Sequence, residues 1–125
     1  MLKDIDDYLT LEWKSAGKFN TAMPKSGGYK MIKVVSKAKL KQGVNIEEYL
    51  TIAKKVIDET RKEQGCISYV LFQDLQDPSI LTMLEEWTDE AAINQHDQSD
   101  HVLTLVPELR KMRESTETHR YRELY

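Results

Sequence analysis

A single cysteine stands among the 125 residues, so no disulfide can close within the chain. That excludes a disulfide-stapled secreted scaffold, and a lone thiol at Cys66 fits a reducing cytosol. Three prolines and five glycines, with no tract of either, exclude collagenous and low-complexity architectures. No apolar run approaches the roughly 20 residues of a membrane span. The first residues, Met1-Leu2-Lys3-Asp4-Ile5-Asp6-Asp7, carry acids where a secretory leader would carry bases ahead of an apolar block. A basic excess is missing too: 18 Lys and Arg stand against 21 Asp and Glu, a net charge of −3. Nucleic acid is therefore not expected as a partner, because phosphate binding needs a basic surface. What is present, 40% hydrophobic and 31% charged residues, suits a globular chain expected to be soluble and cytoplasmic. Its length allows one modest core.

Residues 1–30 read as an extension. Ile5, Leu9 and Trp13 lie four apart and predict a short amphipathic helix over 4–14, after which Gly17, Pro24, Gly27 and Gly28 punctuate a polar linker. From Met31 the period changes to two: Ile32, Val34, Ser36, Ala38 and Leu40 alternate with Lys33, Val35, Lys37 and Lys39. This is a strand with one apolar and one mostly basic face. Asn45, with Glu48 three residues on, marks a helix start, and the stripe Ile46, Leu50, Ala53, Ile57, Thr60 runs toward Gly65, the expected C-terminal cap. Residues 66–73 and 80–87 are β-rich and flank the turn pair Asp77-Pro78, which predicts a hairpin. Thr88 or Asp89 caps the next helix, and Ser99 caps a further helical segment over 101–112 that Pro107 is expected to break or restart. Residues 114–125 alternate as a final strand. The order β-α-β-β-α-β is the ferredoxin-like α+β arrangement with an antiparallel sheet, over residues 31–125. Helices on one face of such a sheet leave the other face open, and two copies stacked sheet to sheet would cover both, which predicts a homodimer.

The sequence holds no Gly-rich phosphate loop, no cysteine pair for zinc and no nucleophile elbow. His96 and His101 are five apart, which misses the helical spacing that puts two ligands on one face, and Ser99 starts a new element between them. No metal site is expected. Glu85 and Glu86 are neighbours on a strand, so they point to opposite faces and cannot act as an acid/base pair. Alternation places Leu81, Met83, Glu85 and Trp87 on one face, where an acid among apolar neighbours must meet a cation or border a functional cavity. Trp87 reads as a core anchor, or as an indole donor facing a substrate oxygen. Taken alone, each histidine is a surface residue, a cap partner or a proton carrier. Cys66 is a small buried hydrophobe or a redox thiol. Tyr69 and Phe72 fall on opposite faces of one strand, core on one side and interface on the other. The Ser36 hydroxyl, between Val34 and Ala38 on the apolar face, needs a hydrogen bond from a backbone carbonyl or a ligand.

The run Gln64-Gly65-Cys66-Ile67-Ser68-Tyr69-Val70-Leu71-Phe72-Gln73-Asp74, followed by Leu84-Glu85-Glu86-Trp87-Thr88-Asp89-Glu90-Ala91-Ala92 and then His96 and His101, resembles the antibiotic biosynthesis monooxygenase family. The resemblance covers about residues 31–125. It implies a dimeric α+β barrel that oxidises a small quinol-like or polyphenolic aromatic with molecular oxygen as co-substrate and no metal, flavin or other cofactor. In that reading His96 or His101 is the base or proton shuttle, Glu85 orients a histidine, and Trp87, Ser36 and Tyr69 bind the substrate. Ser99-Asp100-His101 stands where Ser-Pro-His is usual in the family. Haem-degrading members place an Asn and an iron-ligating His where this chain has Ser36 and about Val106, so no haem is implied. Two other readings stay open. The same two-histidine pattern is similar to relatives that isomerise small phosphorylated signalling sugars, for which Lys33, Lys37 and Lys39 would serve only if they faced the pocket. Dimeric barrels of this kind also act as non-enzymatic small-ligand binders or stress-response proteins.

Overall fold

Alternating residues in β1 (Lys30–Leu40) put Ile32, Val34, Ala38 and Leu40 into the core and leave Lys33, Lys37 and Lys39 exposed on the reverse side. The computed structural model describes residues 30–125; the helix and linker expected over 1–30 lie outside the described residues except for Lys30, which opens β1. After β1 come α1 (Ile46–Thr60), β2 (Cys66–Gln73), β3 (Ile80–Asp89), α2 (Glu90–Asp97), α3 (Asp100–Lys111) and β4 (Arg113–Arg122). The strands form one antiparallel sheet in the order β2-β3-β1-β4, the ferredoxin-like arrangement, with the second helical arm divided in two.

Local chemistry sets most boundaries. The Asn45 side chain accepts the backbone N–H groups of Glu47 and Glu48 and starts α1, while Asp89 accepts from Ala92 N–H and starts α2. Gly65 does not cap α1 as expected. The helix ends at Thr60 with Arg61 as its cap, and Gly65 lies four residues later in the turn that feeds β2. Pro107 does not break α3, which runs continuously through it. Its missing N–H would have met the carbonyl of Leu103, a residue that is 59% exposed on the solvent side, where losing one helical hydrogen bond costs least.

Helices α1 and α3 pack against each other over one face of the sheet. Beneath them lies a core of Ile32, Val34, Tyr49, Ala53, Val56, Leu81, Trp87, Ile93 and Leu109. Val35, Val70, Phe72, Leu84 and Tyr121 occupy the opposite face, and Phe72, Leu84 and Tyr121 are each more than 40% exposed.

Gly65 holds the turn before β2 against α2. Its φ of +95° is in the left-handed region, and a Cβ there would stand 2.5 Å from Ala92 Cβ and 3.0 Å from Thr88 Oγ1. Gly65→Ala is therefore expected to cost about 2–4 kcal/mol, from backbone strain plus overpacking. A urea unfolding midpoint indistinguishable from wild type would contradict that contact.

Candidate active site

The two histidines meet because the helix restarts between them. On one continuous helix, five residues would leave side chains about 140° apart around the axis. Instead α2 ends at Asp97, and Ser99 caps α3 by accepting Val102 N–H while donating its hydroxyl to the His96 carbonyl at 2.7 Å. The change of direction brings the His96 and His101 rings to 6.0 Å between centroids.

Glu63, in the turn after α1, closes the group. One carboxylate oxygen, Oε2, lies 2.8 Å from His96 Nδ1 and 2.7 Å from His101 Nε2. A carboxylate only accepts, so both facing nitrogens carry protons and donate to it. In neutral rings that leaves the lone pairs on His96 Nε2 and His101 Nδ1. All three side chains are largely enclosed, with exposures of 8%, 15% and 17% for His96, His101 and Glu63.

The structure reassigns Glu85. It does not orient a histidine; that place belongs to Glu63, and Glu85 Oε1 instead accepts the Trp87 indole N–H at 2.9 Å. The Trp87 donor is thereby used within the protein and not directed at a substrate. Burial, opposed by that hydrogen bond, pushes the Glu85 carboxyl up from 4.5 to about 7. Trp87 is fully buried, its ring centroid 4.8 Å from that of His96, and Tyr69 meets both edge-on, at 6.2 Å from Trp87 and 5.5 Å from His96. Burial also drives the Tyr69 phenol well above its ordinary range, so it stays protonated. Partial burial likewise raises the Cys66 thiol, which suits a small half-buried apolar residue better than a redox thiol.

Ser36 stands apart from the histidines. Its hydroxyl pairs with Thr118 Oγ1 at 2.9 Å, and it borders a cavity of about 40 Å³ with Tyr69, Met83 and Val106. Tyr69 thus connects that cavity to the histidine group. A larger groove of about 510 Å³ runs between α1 and β2 past Ile46, Leu50, Ile57 and Phe72, and none of the six expected site residues lines it. Lys33, Lys37 and Lys39 lie on the sheet face opposite Ser36, as alternation requires.

Glu63 was missed by the sequence reading, which expected no ligand set. It is 33 residues from His96 and sits in the polar run Arg61-Lys62-Glu63-Gln64, whose composition is that of a solvated turn. In the fold, the donor atoms of Glu63, His96 and His101 all lie within 4.8 Å of one another.

Fold and site define a ferredoxin-like α+β domain with a His–Glu–His centre walled by Trp87 and Tyr69. The chain belongs to the antibiotic biosynthesis monooxygenase family, whose model matches residues 31–108. Among solved structures it is similar to a conserved protein from Methanosarcina mazei Go1, 42% identical, covering 76% of this chain and 94% of that one with a TM-score of 0.73. It is also similar to a protein described as an antibiotic biosynthesis monooxygenase, 28% identical, covering 76% of this chain and all of that one, TM-score 0.72. Over 55 residues, 44% of the chain, it is 36% identical to the Bacillus subtilis strain 168 protein named "Putative monooxygenase YcnE" and spans 58% of that protein's length. Among the described residues no helix is long and apolar enough to cross a membrane.

Proposed function

We propose that the protein is a cytoplasmic homodimeric monooxygenase that oxidises a small quinol-like or polyphenolic aromatic with molecular oxygen, using neither metal nor flavin. The observation that carries this reading is the pair of histidines held by one Glu63 oxygen against an aromatic wall. A histidine lone pair takes the phenolic proton, and the resulting phenolate is electron-rich enough to reduce oxygen itself. The ring supplies all the electrons: for a simple phenol, one oxygen atom ends as a quinone carbonyl and the other as water. The protein then has to supply a base, a fixed orientation and a site that excludes bulk water. Family membership and the relatives described as monooxygenases support this reaction class.

Oxygen uptake with a panel of hydroquinones tests it. Turnover with at least one quinol, giving the hydroxylated quinone and one water per oxygen consumed, is the expected result; no uptake with any of them would replace this reading by oxygen-independent proton transfer or ligand binding.

The homodimer forms by sheet-to-sheet packing over Val35, Val70, Phe72, Leu84 and Tyr121, an apolar patch on the face no helix covers. Such an interface should bury more than about 1,000 Å² in total. Sedimentation velocity at micromolar concentration is expected to give a dimer, and Leu84→Lys a monomer; a monomeric wild type would sink the proposal.

A further inference from the structure

Glu63, His96 and His101 form a donor set whose affinities extend beyond protons. A carboxylate oxygen and two imidazole nitrogens are the ligands that borderline divalent cations of the zinc, iron and cobalt type select, whereas magnesium and calcium require oxygen alone. The three donor atoms lie within 4.8 Å of one another, and the side chains come from three separate elements: the turn after α1, the end of α2 and the start of α3. Zinc bound about 2.0–2.2 Å from each donor needs the donors roughly 3.0–3.5 Å apart. The 2.7 and 2.8 Å contacts therefore have to open by a few tenths of an ångström, and the wider separation within the set, up to 4.8 Å, has to close to the same range. Three protein ligands leave a fourth position for water or a substrate oxygen.

We propose that Glu63, His96 Nδ1 and His101 Nε2 constitute a binding site for a borderline divalent cation such as zinc, and that its capture switches off the base. The second half rests on the histidines acting as the base; the first does not. The argument is one of tautomers. Without a cation, Nδ1 of His96 and Nε2 of His101 carry the protons donated to Glu63, and the lone pairs lie on the other nitrogens. A cation coordinates the Glu63-facing nitrogens through their lone pairs, so each proton must move to the opposite side of its ring. His96 Nε2 and His101 Nδ1 then become N–H donors and can no longer accept a phenolic proton. No proton is lost overall and no electron moves; the site passes from base to Lewis acid.

The experiment uses the full chain stripped of metal with EDTA. Zinc calorimetry is expected to show one equivalent per chain, and Co(II) the visible bands of a low-coordinate nitrogen and oxygen site. Glu63→Gln and His101→Asn, each checked for native circular dichroism, should weaken binding by more than about 100-fold, as removal of one of three ligands implies. They should also abolish the zinc-dependent rise in the wild-type melting temperature. Absence of saturable one-equivalent binding, or binding unaltered in both variants, overturns the site. Oxygen uptake should fall in proportion to zinc occupancy and return with EDTA. Uptake unchanged at full occupancy overturns the switch and the base assignment together, while the binding data stand. If Fe(II) proves necessary for uptake, the switch and the metal-free reaction of the proposed function both fall and the ligand set is upheld.

Discussion

Oxygen uptake by His96→Ala or His101→Ala is expected to fall on the order of 10²- to 10⁴-fold, the usual contribution of a positioned general base. The loss should appear equally in kcat and kcat/KM, because a base acts in the transition state and not in holding the ground state. His101 lies nearer the surface than His96, so His101→Ala is the cleaner variant; His96 packs on Trp87 and Tyr69, and its loss also removes core contacts. A His96→Gln variant with a native near-ultraviolet spectrum separates the two effects. Rates within a factor of about two of wild type in both His101→Ala and His96→Gln would take the histidines out of the mechanism, for surface-like substitutions change little.

Stability should depend on pH through Glu85 in a sense opposite to that of most carboxylates. Its carboxyl lies at about 7 in the folded chain against an ordinary value of 4.5, chiefly because burial disfavours the charge. The unfolded chain thus gives up this proton first. The native state carries no penalty from Glu85 below about pH 4.5, loses stability as pH rises from there to about 7, and holds the full loss above. The shift corresponds to about 3 kcal/mol. Glu85→Gln keeps an acceptor for the Trp87 indole and cannot ionise. Its stability relative to wild type should accordingly be near zero at pH 4.5 and rise to about 3 kcal/mol in favour of the variant at pH 8. Chemical denaturation of both proteins across that range measures the difference. Parallel curves would mean that Glu85 is solvated in the folded state.

Backbone-scale features were legible because they depend on near neighbours. The alternation of Ile32, Val34, Ser36, Ala38 and Leu40, the caps Asn45 and Ser99, and the Asp77-Pro78 turn each predict a local geometry that the structure contains. Gly65 and Pro107 were misjudged for a related reason: whether a glycine ends a helix or a proline breaks one depends on where α2 packs and which carbonyl meets solvent. The site was half legible. His96, His101, Trp87 and Tyr69 do converge, whereas Ser36 pairs with Thr118 and Glu85 turns to Trp87. Alternation shows that Glu85 and Trp87 share a face, but hydrogen-bond direction is decided by side-chain rotamers. Glu63 carries no periodic signal at all, since its partnership is made wholly by tertiary folding.

The turn that delivers Glu63 lies outside every strand and helix, and turns are where chains of one fold diverge most readily. Two residues further on, Gly65 presses against Ala92, so the sheet and the histidine-bearing helix are locked together whether or not residue 63 is acidic. Architecture and chemistry are therefore separable here by a single codon. A descendant that exchanged Glu63 for a neutral side chain would inherit the same scaffold and the same two imidazoles, released from their common anchor and free to be recruited for a different reaction.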